Sequence, residues 1–154
     1  MMFGGINITH VSARMVHIYL WENKLGKKAD IIIKVPLYYK EVRVFIGKER
    51  LEDFKSLCQG IAGPGVLDDE RFSYATGLTM GTLVFIEDGD DMNTTIHELY
   101  HATSAIKKIS GIDDEEAEAY LNAWIVVNYL EKYEKWKANK VQAAEVQEGT
   151  GDES

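Results

Sequence analysis

Five consecutive residues, His97-Glu98-Leu99-Tyr100-His101, constrain this chain more than any other stretch. The spacing H-E-x-x-H carries chemistry only on an α-helix, where residues four apart share one face a turn above each other. There His97 and His101 turn two imidazoles toward one point, and Glu98 stands about 100° round the helix from His97. The flanks favour that helix. Asp90, Asp91, Asn93, Thr94 and Thr95 offer capping side chains upstream. Ile96, Leu99, Thr103 and Ile106 form an apolar stripe, and Gly111 stands where a helix stops. The motif is therefore expected mid-helix. The plain alternative is a solvent-washed helix whose two histidines fall four apart by coincidence.

Two imidazoles so placed suit a divalent cation. Zn²⁺ with two or three protein ligands and an open position brings the pKa of its bound water to about 7. Glu98, beside the ion but not a ligand, can then accept that proton.

Size and charge narrow the remaining classes. A chain of 154 residues is one domain by the usual scaling, expected over residues 1–137 with a polar tail at 138–154 that frays into disorder. The formal charge of −8 argues against nucleic acid as a partner, because phosphate contacts need clustered Lys and Arg. The single cysteine, Cys58, cannot close an internal disulfide and reads as a structural thiol in a reducing compartment. The first residues lack a basic head followed by an unbroken apolar run, so no signal peptide is expected. No apolar run approaches the length of a membrane span. The cytoplasm is the expected location.

Read in order, the first half predicts strands around a helix. Residues 11–21 contain an alternating stretch, with Met15, His17 and Tyr19 on one side and Val16, Ile18 and Leu20 on the other. Ile31 to Val35 is a β-branched run stopped by Pro36, and Glu41 to Ile46 alternates until Gly47. Lys48 to Gln59 has amphipathic helical spacing, and Gly63-Pro64-Gly65 breaks the chain. Phe72 to Thr76 reads as a short strand and Gly81 to Ile86 as a firmer one. The acidic turn Glu87–Asp91 lacks the ligand order of a calcium loop and reads as solvated carboxylates favouring the positive helix N-terminus. Residues 77–82 are either one arm of an ordinary hairpin or an exposed edge able to pair with an extended peptide. The fold class expected is α+β: a small mixed sheet packed on the motif helix and a long C-terminal helix.

A third metal ligand has to be sought elsewhere. Lysine at position 107 excludes a third histidine six residues on, and His10 and His17 lie far upstream. A carboxylate on the helix expected over residues 113–137 remains. Its apolar face is read through Ala117, Tyr120, Leu121, Trp124 and Val127, with Glu116 and Glu118 on the flanks and Glu115 nearly opposite. Glu116 is favoured because it shares a stripe with Tyr120 and Trp124 that would face the motif helix; Glu118 and then Glu115 follow. Glu116 also stands three residues after Asp113, as in a capping box. The rise from His101 to the helix end exceeds the return from Asp113 to Glu116 by roughly 8 Å, which helix crossing or the use of Glu118 would have to close.

HELYH followed closely by EEAEAY resembles the small gluzincin-type metallopeptidases, above all compact ImmA/IrrE-type proteins and short zinc-peptidase-like proteins of phages and mobile elements. The resemblance covers about residues 80–130. It implies a zincin-like fold, Zn²⁺ held by His97, His101 and Glu116, Glu98 as general base, and a peptide or protein substrate. Tyr100 stands where many relatives carry Gly, and the gap from His101 to Glu116 is short. The alternative is a zincin-shaped module that binds a protein partner, its metal structural or absent.

Overall fold

The structure, a computed structural model, describes residues 28–65, 67 and 70–149. The alternating stretch at 11–21 lies outside them. Strand β1, Ile31–Val35, is the β-branched run, and Pro36 ends it by removing a ladder donor and opening a 3₁₀ turn, Pro36–Tyr38. Tyr39, in the left-handed region at φ 51°, reverses the chain into β2, Lys40–Ile46. The two strands pair antiparallel, with Ile31 opposite Val44 and Val35 opposite Lys40.

Helix α1, Leu51–Ala62, carries the chain across the sheet and buries Phe54, Leu57 and Cys58. Residues 70–74 then wind into a 3₁₀ helix where a short strand over Phe72–Thr76 was expected. The place beside residues 83–86 belongs instead to β3, Gly77–Met80, which pairs with them. Gly81 and Thr82 connect β3 to β4, Leu83–Ile86, and Gly81 takes the φ of +60° that the tight connection needs.

The strand order is β1-β2-β4-β3, with β2 and β4 parallel and the outer pairs antiparallel. Both central strands are buried on both faces, and the two-residue period sorts their side chains. Phe45, Leu83 and Phe85 meet Phe54, Leu57 and Cys58 of α1. Val44, Ile46, Val84 and Ile86 point the other way, into the layer formed by α2, Met92–Ser110, and α3, Glu115–Gly149. The α+β expectation is borne out: a mixed four-stranded sheet lies against the motif helix and a long C-terminal helix.

Two features of α3 differ from the sequence reading. The buried face runs through Leu121, Ile125, Tyr129 and Tyr133, a ridge of residues four apart. Tyr120, Trp124 and Val127, expected on that face, are 70%, 40% and 62% exposed. The helix is therefore turned by about a third of a revolution from the expected setting. Tyr129 and Tyr133 stack at 5.5 Å and Tyr133 on Trp136 at 5.7 Å, so the aromatic stripe at 129–136 does serve the core. Secondly, residues 138–149, expected to fray, continue the helix with every residue exposed. Lys, Gln, Glu and Ala are strong helix formers, and no Gly or Pro interrupts them before Gly149. No helix among the described residues is long and apolar enough to cross a membrane.

Candidate metal site

The motif helix is fixed at both ends by its own sequence. Asp91 caps it: one carboxylate oxygen accepts the Thr94 N–H at 3.2 Å and the other the Thr94 hydroxyl at 2.6 Å. The Thr94 hydroxyl, chiefly, holds Asp91 below the ordinary carboxylate range. Gly111 ends the helix at φ 68°, its N–H returned to the Lys107 carbonyl. Leu99, Ala102 and Ile106 are fully buried on the sheet, which sends residues 97 and 101 to the outer surface.

There the two imidazoles converge. His97 and His101 bring their Nε2 atoms to 3.0 Å, with ring centroids 4.6 Å apart. Zinc–nitrogen bonds of roughly 2.0–2.1 Å in tetrahedral geometry separate two nitrogens by about 3.3 Å. At 3.0 Å the pair is hydrogen-bonded, one ring donating to the other; the donor type and a separation close to the roughly 3.3 Å of such a site also suit one ion once that proton is lost.

Glu98 lies beside them but inward, 8% exposed. Its Oε2 accepts the hydroxyl of Thr79 at 2.6 Å, and the same hydroxyl lies 3.1 Å from the Glu98 carbonyl oxygen. Strand β3 thus touches the motif helix at the glutamate. The approach requires glycine at position 77, where an added Cβ would fall 2.7 Å from Glu98 Cγ and 2.7 Å from Thr94 Cγ2. Among the described residues β3 is also the last strand of the sheet. The hairpin reading of residues 77–82 holds, the strand being one arm of a hairpin with β4.

The carboxylates of α3 are arranged differently from the sequence expectation. Glu116 is exposed on the first turn, its backbone N–H bonded to Asp114 Oδ1 at 2.9 Å, so Asp114 and not Asp113 takes the capping position. Glu118 faces α2. Its Oε2 accepts Lys107 Nζ at 2.5 Å and its Oε1 the Ser104 hydroxyl at 3.3 Å. Lys107, chiefly, holds this carboxyl below the ordinary glutamate range. Glu115 is exposed and lines, with Tyr100, Lys107, Glu118 and Asn122, an open groove of about 430 Å³ between the two helices. Among the described residues no three His, Cys, Asp or Glu side chains are gathered as a metal cluster. The structure brings His97 and His101 together, turns the Glu98 carboxylate inward to Thr79, and places Glu116 on the exposed first turn of α3.

Gly77 and Thr79 entered the sequence reading only as part of the stretch 77–82, and neither Ser104 nor Lys107 was given a role there. Ser104 and Lys107 carried a signal, standing three and six residues beyond His101 on the flank an antiparallel neighbour would cover. Thr79 carried none. Cys58 is fully buried, and burial pushes its thiol up to about 12, which suits a structural role and not a nucleophile. Set against known proteins, the chain matches no family model, no curated protein and no solved structure.

Proposed function

We propose that this chain is a zinc-dependent metallopeptidase with a zincin-like site, in which His97 and His101 hold the metal and Glu98 is the general base. The observation that supports it most is the 3.0 Å approach of the two Nε2 atoms on an exposed face of the motif helix. Bound there, Zn²⁺ supplies a polarised scissile carbonyl and a water acidic enough to attack near neutral pH. Glu98 takes the proton of that water and returns it to the leaving amine. The Thr79 hydroxyl holds Oε2 of Glu98, and Oε1 lies against Gly77, so on this reading the carboxylate would have to turn outward to meet the water. An extended peptide or protein segment adds to the outer edge of β3, where main-chain hydrogen bonds align it across the site. Tyr100 or Tyr120, both exposed, would be the residue to steady the oxyanion. The family resemblance implies Glu116 as third ligand, which would require α3 to move toward the pair, since Glu116 is exposed on its first turn. The single buried thiol accords with the reducing cytoplasm.

Metal analysis and one substitution test the reading. The purified protein should contain about one equivalent of zinc, since a structural or catalytic site holds one ion. Glu98→Gln should keep that metal and lose peptide cleavage. Turnover unchanged in the variant, or a wild type that neither contains nor binds zinc, would discard the proposal.

A further inference from the structure

The two helices of the outer layer divide the sheet between them. α2 lies over β3 and β4, while α3 lies over β1, where Leu121, Ile125 and Tyr129 share a core with Ile31, Ile33 and Val35. Among the described residues β1 ends the sheet. Glu118 and Asn122 bond one flank of α3 to α2. Trp124 stands about 200° further round the helix than Asn122, on the flank away from α2, and is 40% exposed. The outer edge of β1 is open in the same direction. In β2 the N–H groups of Arg43 and Gly47 bond to the carbonyls of Thr82 and Ile86, so those of Val42 and Val44 turn toward β1 and meet Ile33 and Ile31. By the same alternation Ile32 and Lys34 point their N–H groups to the outer edge. An apolar strand with a free row of donors, beside an uncovered tryptophan, is a place for one more strand.

We propose that residues 11–21, which lie outside the described residues, are the occupant: they pair antiparallel with the outer edge of β1 and pack Val16, Ile18 and Leu20 against Trp124. Chain length selects this segment. Only nine residues, 22–30, separate it from β1. A connection that short returns the chain as an antiparallel neighbour, whereas a parallel one needs a crossover of about a dozen residues or more. The pattern agrees. In β1 the helix-facing Ile31, Ile33 and Val35 are buried, while Ile32 is half-buried and Lys34 exposed on the other side. Val16, Ile18 and Leu20 repeat the aliphatic set, and Met15, His17 and Tyr19 the mixed one. Charge agrees as well. Residues 1–27 carry three basic side chains and one acidic, in a chain whose net charge is −8, so the segment meets a body of opposite sign. The pairing closes a sheet edge otherwise open to other chains. It stands whether or not His97 and His101 hold a metal.

Amide hydrogen exchange of the full chain, read residue by residue by NMR, tests the pairing. In the wild type the Ile32 and Lys34 amides should exchange at least about a hundredfold slower than unpaired amides of the same sequence, as bonded donors do. Ile18→Asp puts a charge against Trp124 and should return both amides to fast exchange, while the amide of Val84, between β2 and β4, stays protected and reports an intact fold. His17→Asp, on the opposite face of the added strand, should leave both rates within about threefold. Should Ile18→Asp unfold the chain, Ile18→Ala supplies the same comparison, with exchange rising more at Ile32 and Lys34 than at Val84. Wild-type Ile32 and Lys34 exchanging as fast as unpaired amides overturns the proposal. Slow exchange that survives Ile18→Asp, or an equal rise at Val84 in Ile18→Ala, overturns it too. Protection that grows with protein concentration gives the edge to a second copy of the chain and likewise overturns it.

Discussion

Thr79 of the edge strand donates its hydroxyl to Glu98 of the motif helix at 2.6 Å, joining two elements that are 19 residues apart in sequence. The bond anchors a largely buried carboxylate that would otherwise be partly stripped of water with no neutral donor facing it. It also ties the position of the sheet edge to that of the proposed base.

Thr79→Val keeps the shape and removes the donor. Leaving Glu98 short of a partner should cost about 1–3 kcal/mol, nearer the lower figure because some solvent reaches the group. Thr79→Ser should restore most of it. Urea unfolding of the three proteins measures the difference, and equal midpoints would show that the hydroxyl contributes nothing.

Gly77→Ala should be the more damaging of two glycine substitutions on the hairpin. Its Cβ would lie 2.7 Å from atoms of both Glu98 and Thr94, so the strand must move off the helix at a cost of about 1–3 kcal/mol. Gly81→Ala meets nothing within 4 Å but must hold φ near +60°, a cost of about 1–2 kcal/mol. If the proposed peptide cleavage is found, it should fall in Gly77→Ala and persist in Gly81→Ala.

The rotational setting of α3 is open to a paired truncation. Ile125→Ala removes a fully buried side chain and should cost about 2–5 kcal/mol. Val127→Ala, at a position 62% exposed, should change stability by less than about 0.5 kcal/mol. Denaturant midpoints that reverse this order would restore the face through Tyr120, Trp124 and Val127.

Acid should loosen the docking of α3 on the turn before α2. Asp90 Oδ1 accepts Lys137 Nζ at 2.7 Å and the Tyr133 hydroxyl at 3.1 Å, and the lysine bond chiefly holds its carboxyl below the ordinary value of 3.8. A depressed carboxyl contributes its stability above that ordinary value and loses it as pH falls through the lower, folded-state value. Lys137, raised by the same bond, loses its share only as pH climbs past its ordinary 10.5. The melting temperature of the wild type should therefore drop on acidification more steeply than that of Asp90→Asn. Parallel acid limbs would show the pair to be without effect.

What the residues dictated alone is local. A helix around residues 97–101 follows from a cap at Asp91, an apolar stripe and a stop at Gly111, all within reach of the backbone they satisfy. The convergence of His97 and His101 follows from the helical repeat, and the strands β1, β2 and β4 from their β-branched and apolar runs. Tertiary packing decided the rest. Residues 120–130 of α3 are apolar all round, so periodicity could not say which stripe meets the sheet; the fit of Leu121, Ile125 and Tyr129 into the core did. The same rotation turned Glu118 toward Lys107 and left Glu116 outside. The Thr79–Glu98 bond exists only because β3 takes the place beside β4, a pairing between strands that no spacing along the chain specifies. Local geometry is written in neighbouring residues, whereas the choice among faces and partners is made by volumes and hydrogen bonds that meet only after the chain has closed on itself.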